Sequence, residues 1–242
     1  GFNHAIWAAA ADPARPLDDT VAAIFLEPVQ GEGGVNPATI EYFAAVRRMC
    51  DERGMLFIVD EVQTGLARTG KWFGFQHFFP DGEGPDVVTM AKALGNGMPI
   101  GACWATPEAS AAFRPGDHAT TFGGQPLAAA AARRTLEIML EINAPAVAKQ
   151  TAELLTGAVM EIDGVVGTRG LGLLMAVELA EGIDAKAVAA DCLEHGLVLN
   201  GVTATALRLT PPLNITPALI SEGAAVLATS IDRVRSMNGA PS

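Results

Sequence analysis

The sequence VAAIFLE at residues 21–27 is a short apolar run without alternation, which is typical of a strand covered on both faces. A Gly-rich turn follows at residues 31–34. Asn36-Pro37 then supplies an N-cap and a first-turn proline for a helix that ends at Gly54. A second apolar run, MLFIV at residues 55–59, comes directly after that helix. This order of strand, helix and strand predicts a right-handed crossover between two parallel strands.

The same kind of pattern continues towards the C-terminus. Two more short strands are predicted, at residues 86–90 and 101–105, and two alanine-rich helices follow, at residues 125–142 and 146–162. The remainder predicts short strands at 171–179, 197–199 and 206–209, with helices at 184–194 and 216–236. We therefore expect an α/β fold with a large domain at residues 1–143, built on a mostly parallel sheet, and a smaller α+β domain at residues 144–242.

Composition excludes several classes of function. The 242 residues include 16 Lys and Arg against 27 Asp and Glu, which gives a net charge of −11. Because phosphate contacts need clustered cations, this balance argues against a nucleic-acid partner. Half of the residues are hydrophobic, which is enough for a buried core, but no apolar run reaches the ~18 residues of a membrane span. We expect a globular protein.

Cysteine and histidine spacing narrows the possibilities further. The three cysteines, Cys50, Cys103 and Cys192, have no CxxC spacing and an odd total, which predicts a reducing, cytoplasmic location. The histidines lack metal-ligand spacing, so no metal site is expected. The Gly-rich turns do not open a helix after a strand, which argues against a nucleotide site.

Polar residues follow the ends of several predicted strands, where open α/β sheets bind their ligands. Glu27 ends the first strand, the run Asp60-Glu61-Val62-Gln63 ends the second, and Lys92 follows the third by two residues. Lys92 taken alone is typical of a solvated lysine. An acid and an amine at adjacent strand ends, however, suit a Schiff-base site, in which the neutral amine attacks a carbonyl.

Four runs of residues together resemble the class III aminotransferases of the fold type I pyridoxal-phosphate enzymes, in their order and nearly in their spacing. They are Glu27 to Gly34 (EPVQGEGG), Asp60 to Gly65 (DEVQTG), Ala91 to Gly101 (AKALGNGMPIG) and Thr120 to Gly124 (TTFGG). Within that family, residues 196–200 and 207–213 are most similar to the acetylornithine aminotransferases. The resemblance covers nearly the whole chain.

The resemblance implies a pyridoxal 5'-phosphate cofactor and a role for each residue near it. Lys92 would hold the cofactor as an aldimine and shuttle the proton of the reaction, and Asp60 would face the pyridine nitrogen. Val62 would pack on the ring, Gln63 would hydrogen-bond its phenolic oxygen, and Glu61 belongs to the same cofactor-binding run. The alternatives stay open: Asp60 is also typical of a helix N-cap or a turn, and Val62 of a core.

The resemblance also implies substrate contacts and a homodimer. Thr121 would reach the cofactor phosphate across the dimer interface, with Thr120 near the substrate, although both also suit a β-turn. Arg208 would bind the carboxylate of 2-oxoglutarate or glutamate through a bidentate pair. Glu32 would pair with Arg208 while N-acetylornithine is bound and move aside for the dicarboxylate. An exposed loop acid is the alternative for Glu32.

The implied reaction moves the δ-amino group of N-acetylornithine to 2-oxoglutarate, in arginine biosynthesis. Another ω-amino acid aminotransferase, for ornithine or 4-aminobutyrate, is one alternative. The resemblance begins in the middle of the family's chain, after the turn that binds the cofactor phosphate. A second alternative is therefore a catalytically incomplete fragment, and we expect residues 1–242 alone to be inactive.

Overall fold

The computed structural model describes residues 20–79 and 82–238, so the first 19 residues of the predicted large domain lie outside the described part. The chain divides into two compact units. Among the described residues, the first unit comprises 20–28, 38–66 and 73–139, and the second comprises 29–37, 67–72 and 140–238. The predicted division at residues 143 and 144 stays a prediction. The two short segments 29–37 and 67–72 are a feature that no sequence pattern indicated.

The helices and strands are numbered in chain order. The strands are β1 (Ala23–Leu26), β2 (Val29–Gln30), β3 (Asn36–Pro37), β4 (Leu56–Asp60), β5 (Val87–Met90), β6 (Ala102–Ala105), β7 (Val165–Leu171), β8 (Leu174–Leu179), β9 (Asn200–Gly201) and β10 (Ala206–Leu209). The α-helices are α1 (Ile40–Arg53), α2 (Pro107–Ser110), α3 (Pro126–Glu141), α4 (Ala144–Met160), α5 (Ala185–Glu194) and α6 (Pro217–Asn238).

The first unit contains a sheet whose described strands have the order β1-β4-β5-β6. β1 pairs with β4 and β4 with β5 in parallel, whereas β6 is antiparallel to β5. The predicted strand, helix and strand are thus confirmed, with α1 connecting the two parallel strands. Because β4 and β5 are parallel neighbours, their carboxyl ends lie at the same edge of the sheet.

Helix α1 packs against this sheet through an aromatic cluster. Phe43 is fully buried, and its ring centroid lies 5.5 Å from that of Phe57 on β4 and 4.6 Å from that of Phe78. The predicted N-cap at Asn36-Pro37 is wrong. These residues pair with β2 as strand β3, and the Thr39 hydroxyl caps the helix by accepting a hydrogen bond from the Tyr42 N–H at 3.1 Å. Gly54 ends the helix, as predicted.

The second unit contains an antiparallel sheet with the order β7-β8-β10-β9, packed on α4, α5 and α6. The single strand predicted at 171–179 is wrong, since residues 165–179 form a hairpin. Gly172 makes its turn with a φ of 56°, and a Cβ there would lie 2.5 Å from the Thr69 carbonyl carbon. The strand predicted at 197–199 is also wrong, because ladder pairing on β10 begins at Asn200.

Neither described stretch of the chain contains a helix that is long and apolar enough to cross a membrane.

Candidate active site

The two predicted catalytic residues lie at the ends of adjacent parallel strands in the first unit. Asp60 is the last residue of β4 and pairs in register with Thr89 of β5, and Lys92 follows Thr89 by three residues. The carboxylate of Asp60 is half-buried, and its Oδ1 accepts a hydrogen bond from the Val62 N–H at 2.8 Å. Lys92 is exposed. This edge of the sheet therefore presents a fixed carboxylate and an accessible amine.

The backbone at Lys92 is strained. Lys92 has a φ of 40°, in the left-handed region that long side chains rarely adopt, and it opens a short 3₁₀ helix, Lys92–Leu94. The turn that follows is tight, since a Cβ on Gly95 would lie 2.1 Å from the Met98 carbonyl oxygen. Strain of this kind persists where the surroundings determine the geometry, and it is concentrated at functional sites.

Glu61, the next residue after Asp60, is directed into the protein. Only 1% of it is exposed, and its carboxylate accepts hydrogen bonds from the Thr64 hydroxyl at 2.5 Å, the Gly74 N–H at 2.8 Å and the Phe75 N–H at 2.7 Å. Burial raises the pKa of the Glu61 carboxyl above its ordinary value of 4.5, against the opposing effect of these hydrogen bonds. Both carboxylate oxygens are engaged within the 61–75 loop. The geometry thus favours a structural role over the predicted cofactor contact.

The other predicted cofactor residues of the first unit are more accessible. Val62 and Gln63 are half-buried beside Asp60, while Thr120 and Thr121 are exposed in a loop. The Thr120 hydroxyl accepts a hydrogen bond from the Gly123 N–H at 3.1 Å, which agrees with the β-turn alternative. The contact of Thr121 with a partner subunit stays a prediction.

Two of the three predicted substrate residues form an ion pair in the second unit. Arg208 Nη1 on β10 lies 2.7 Å from Glu32 Oε1, which is carried by the turn between β2 and β3. Only 12% of the Arg208 side chain is exposed, against 75% of Glu32. The Nε of Arg208 is buried and has no hydrogen-bond partner among the described residues. Arg208 thus offers a largely buried guanidinium whose partner is an exposed carboxylate.

Arg208 also lines a cavity of about 320 Å³ within the second unit. Apolar residues of α4 and α6, such as Leu155 and Leu227, form much of its wall, with Asn200 and Thr210 among the polar groups.

Two arginines of the second unit were missed by the sequence analysis. Arg68 donates hydrogen bonds to the carbonyl oxygens of Leu173 and Pro211, and burial lowers the pKa of its guanidinium. Arg169, on β7, contacts the turn that carries Glu32. Arg169 lies outside every predicted strand, so no sequence pattern indicated that it belongs to the sheet. The residues that the structure describes include no group of three or more His, Cys, Asp or Glu that could hold a metal ion.

Known aminotransferases are similar to this chain in sequence. A family model described as Aminotransferase class-III matches residues 4–231. The acetylornithine aminotransferase of Corynebacterium efficiens is 50% identical over 207 residues, which cover 86% of this chain and 50% of that protein. That of Caldanaerobacter subterraneus is 44% identical over 229 residues, 90% of this chain and 56% of that protein. The chain spans about half the length of these curated relatives.

Solved structures show the same fold. The N-acetylornithine aminotransferase of Stenotrophomonas maltophilia superposes with a TM-score of 0.82 at 32% identity, over 97% of this chain and 62% of that one. The ornithine aminotransferase of Toxoplasma gondii, described with partial occupancy of PLP at its active site, gives a TM-score of 0.82 at 30% identity, over 98% of this chain and 55% of that one. The fold is that of the fold type I pyridoxal-phosphate enzymes, and the chain belongs to the class III aminotransferase family.

Proposed function

We propose that this protein is a pyridoxal-phosphate-dependent aminotransferase that moves the δ-amino group of N-acetylornithine to 2-oxoglutarate, in arginine biosynthesis. The observation that carries the proposal is the pair of Asp60 and Lys92 at the ends of adjacent parallel strands. Family membership and the names of the most similar relatives support it.

The residues at this edge of the sheet fit the cofactor by their chemistry. Lys92 supplies the amine that an aldehyde requires, and Asp60 supplies the carboxylate that stabilises a protonated ring nitrogen. Half-buried Val62 offers an apolar contact for a ring face, and Gln63 a hydrogen-bond donor for a phenolic oxygen. When bound, pyridoxal phosphate supplies an electron sink for the carbon that loses a proton.

Each of the site residues has a separate role in the proposed reaction. Asp60, oriented by the Val62 N–H, holds a proton at the ring nitrogen. Lys92 Nζ would hold the cofactor until the substrate amine displaces it, and the freed amine would then act as a general base that removes a proton from the substrate carbon carrying the transferred amino group. Arg208 binds a carboxylate of 2-oxoglutarate or glutamate. Glu32 neutralises Arg208 when the bound substrate places no carboxylate there.

The proposal includes a cytoplasmic homodimer in which Thr121 of each subunit reaches the cofactor phosphate of the other, with Thr120 near the substrate. Exposure of both threonines is compatible with this arrangement. The three cysteines are free thiols, as a reducing compartment would require.

The test is to trap the tether. Borohydride reduction of the complete, cofactor-loaded protein should fix a pyridoxyl group on the peptide that contains Lys92, located by mass spectrometry. Lys92→Ala should lose this label and lose transamination, whereas the exposed Lys186→Ala should keep both. Label on Lys71, Lys149 or Lys186 would contradict the assignment of Lys92.

Ornithine is the second candidate donor, favoured by the several ornithine aminotransferases among the structures that superpose on this chain. Rates measured with N-acetylornithine, ornithine and 4-aminobutyrate under one set of conditions decide between the donors. A kcat/KM that is higher for ornithine than for N-acetylornithine would replace the first proposal by the second.

A further inference from the structure

Arg208 and a second arginine, Arg169, lie in one row of the sheet of the second unit. Arg169 on β7 pairs in register with Ala176 on β8, and Ala176 pairs with Arg208 on β10. Directly opposed residues on antiparallel strands place their side chains on the same face of the sheet. The two arginines therefore share a face, separated by the small side chain of Ala176.

The segment 29–37 packs on this same face. Val29 and Val35 are fully buried and form an apolar cluster with Leu174, Ala176 and Ala206. Val35 has a φ of 57°, which is a strained conformation for a β-branched residue. The turn between β2 and β3, with Glu32 on it, is thus held in one place over the row.

Arg169 fixes the backbone of that turn. Its Nε donates to the carbonyl oxygens of Gly34 and Val35, each at 3.1 Å, and its Nη2 donates to that of Gly34. Its Nη1 forms an ion pair with Glu178 of β8, which leaves the other nitrogens directed at the turn. These partners are backbone carbonyls, so the contact does not depend on any substrate.

The two arginines therefore bind the same turn in different ways. Arg169 holds backbone atoms near Val35, whereas Arg208 holds the exposed carboxylate of Glu32. How well Glu32 competes with a substrate carboxylate for Arg208 depends on its local concentration there, which a fixed turn raises. We propose that Arg169 is a positioning residue that sets this competition and so determines how tightly the protein binds dicarboxylates.

This inference rests on the proposed function, because it needs Arg208 to bind the dicarboxylate. Its probe is glutarate, an unreactive five-carbon dicarboxylate, titrated into the cofactor-loaded protein by calorimetry. Arg169→Ala should release Glu32 from its position and lower the Kd for glutarate about five- to ten-fold. Arg169→Lys, which keeps the charge but loses the fork, should lower it about three-fold. Arg235→Ala, which removes an ion pair with Asp163 in the same unit, is the matched control and should leave the Kd unchanged.

A double-mutant cycle separates positioning from a general structural role. Glu32→Gln alone should tighten glutarate binding at least as much as Arg169→Ala does, and the double variant should bind no more tightly than Glu32→Gln. Faster amide hydrogen exchange at residues 32–36 in Arg169→Ala should accompany the effect. If Arg169→Ala does not fold, the same cycle with Arg169→Lys decides.

The outcomes also separate this inference from the function on which it rests. If Arg208→Ala binds glutarate with the same Kd as the wild type, the proposed role of Arg208 is wrong. If Arg208→Ala loses glutarate binding, the role of Arg208 is supported. The role of Arg169 alone would then be overturned if the Arg169 variant leaves the Kd unchanged, or changes it by the same factor in the wild type and in Glu32→Gln.

Discussion

Glu61 and Glu32 are loop carboxylates of two different units, and they differ in burial and in the groups that bind them. Glu61, in the first unit, is 1% exposed and is held by two backbone N–H groups and a hydroxyl. Glu32, in the second unit, has a side chain that is 75% exposed and is paired with a guanidinium. A buried carboxylate that accepts hydrogen bonds from neutral donors holds a loop firmly, because breaking these bonds leaves buried polar groups without partners. An exposed carboxylate is screened by water, so its charge adds little to the stability of the fold.

The largest effect expected from this comparison is on stability. Glu61→Ala removes the acceptor of the Gly74 and Phe75 N–H groups and of the Thr64 hydroxyl, and buried donors without partners cost about 1–3 kcal/mol each. We expect the free energy of unfolding of the first unit to fall by about 3 kcal/mol. Urea denaturation measures it. Glu137→Ala, at a half-buried position in the same unit whose carboxylate pairs with arginines on its own helix, is the control and should leave the midpoint unchanged.

Arg208→Ala should have the next largest effect, and on substrate use rather than on folding. Charge-assisted hydrogen bonds to a carboxylate contribute roughly 1.5–3 kcal/mol, so kcat/KM for 2-oxoglutarate should fall about ten- to a hundred-fold. Arg208→Lys keeps the charge without the bidentate geometry, so its kcat/KM for 2-oxoglutarate should lie between those of the wild type and Arg208→Ala. The label on Lys92 should survive. Unchanged kinetics with both the donor and the acceptor would remove Arg208 from the site.

A pH dependence should distinguish the two carboxylates as well. The folded-state pKa of Glu61 is raised above its ordinary value of 4.5, so the folded protein binds more protons than the unfolded chain between these two pKa values. Stability should therefore fall as the pH rises from 4.5 through the folded-state pKa, by about 1.4 kcal/mol for each unit of the shift. Unfolding measured over this pH range in the wild type and in Glu61→Gln tests this. In Glu61→Gln the free energy of unfolding should fall less steeply with rising pH than in the wild type. An equal slope in both proteins would contradict a raised pKa of Glu61 in the folded state.

The sequence predicted Asp60 and Lys92 at adjacent strand ends because the position of a strand end follows from local apolar runs. The same runs gave β1, β4, β5 and β6 within one or two residues of their observed bounds. Arg208 and Glu32 came from the resemblance to the family, and their ion pair joins residues 176 positions apart. No local pattern predicts such a contact.

Arg169 and Glu61 show what local patterns leave out. Glycines at 167 and 170 interrupt the apolar pattern of β7, so this strand was not predicted. Arg169 and Arg208 are aligned by the pairing of β7 with β8, and the sequence did not indicate that register. Glu61 was grouped with Asp60 because the two are neighbours in the chain. Successive residues at a strand end point in opposite directions, and here one carboxylate faces the edge of the sheet while the other enters the loop.

The smallest expected effect is that of Glu32→Gln on stability. The amide is nearly isosteric and keeps an oxygen that can accept from Arg208 Nη1, and the charge of a carboxylate that is 75% exposed contributes about 1 kcal/mol at most because water screens it. The free energy of unfolding should therefore change by less than about 1 kcal/mol, although dicarboxylate binding tightens because Arg208 loses its competing anion. Urea denaturation beside Glu61→Ala measures the first effect, and glutarate titration the second. A loss of stability as large as that of Glu61→Ala would mean that Glu32 is fixed like Glu61, and the exchange of its carboxylate for that of a substrate would have to be abandoned.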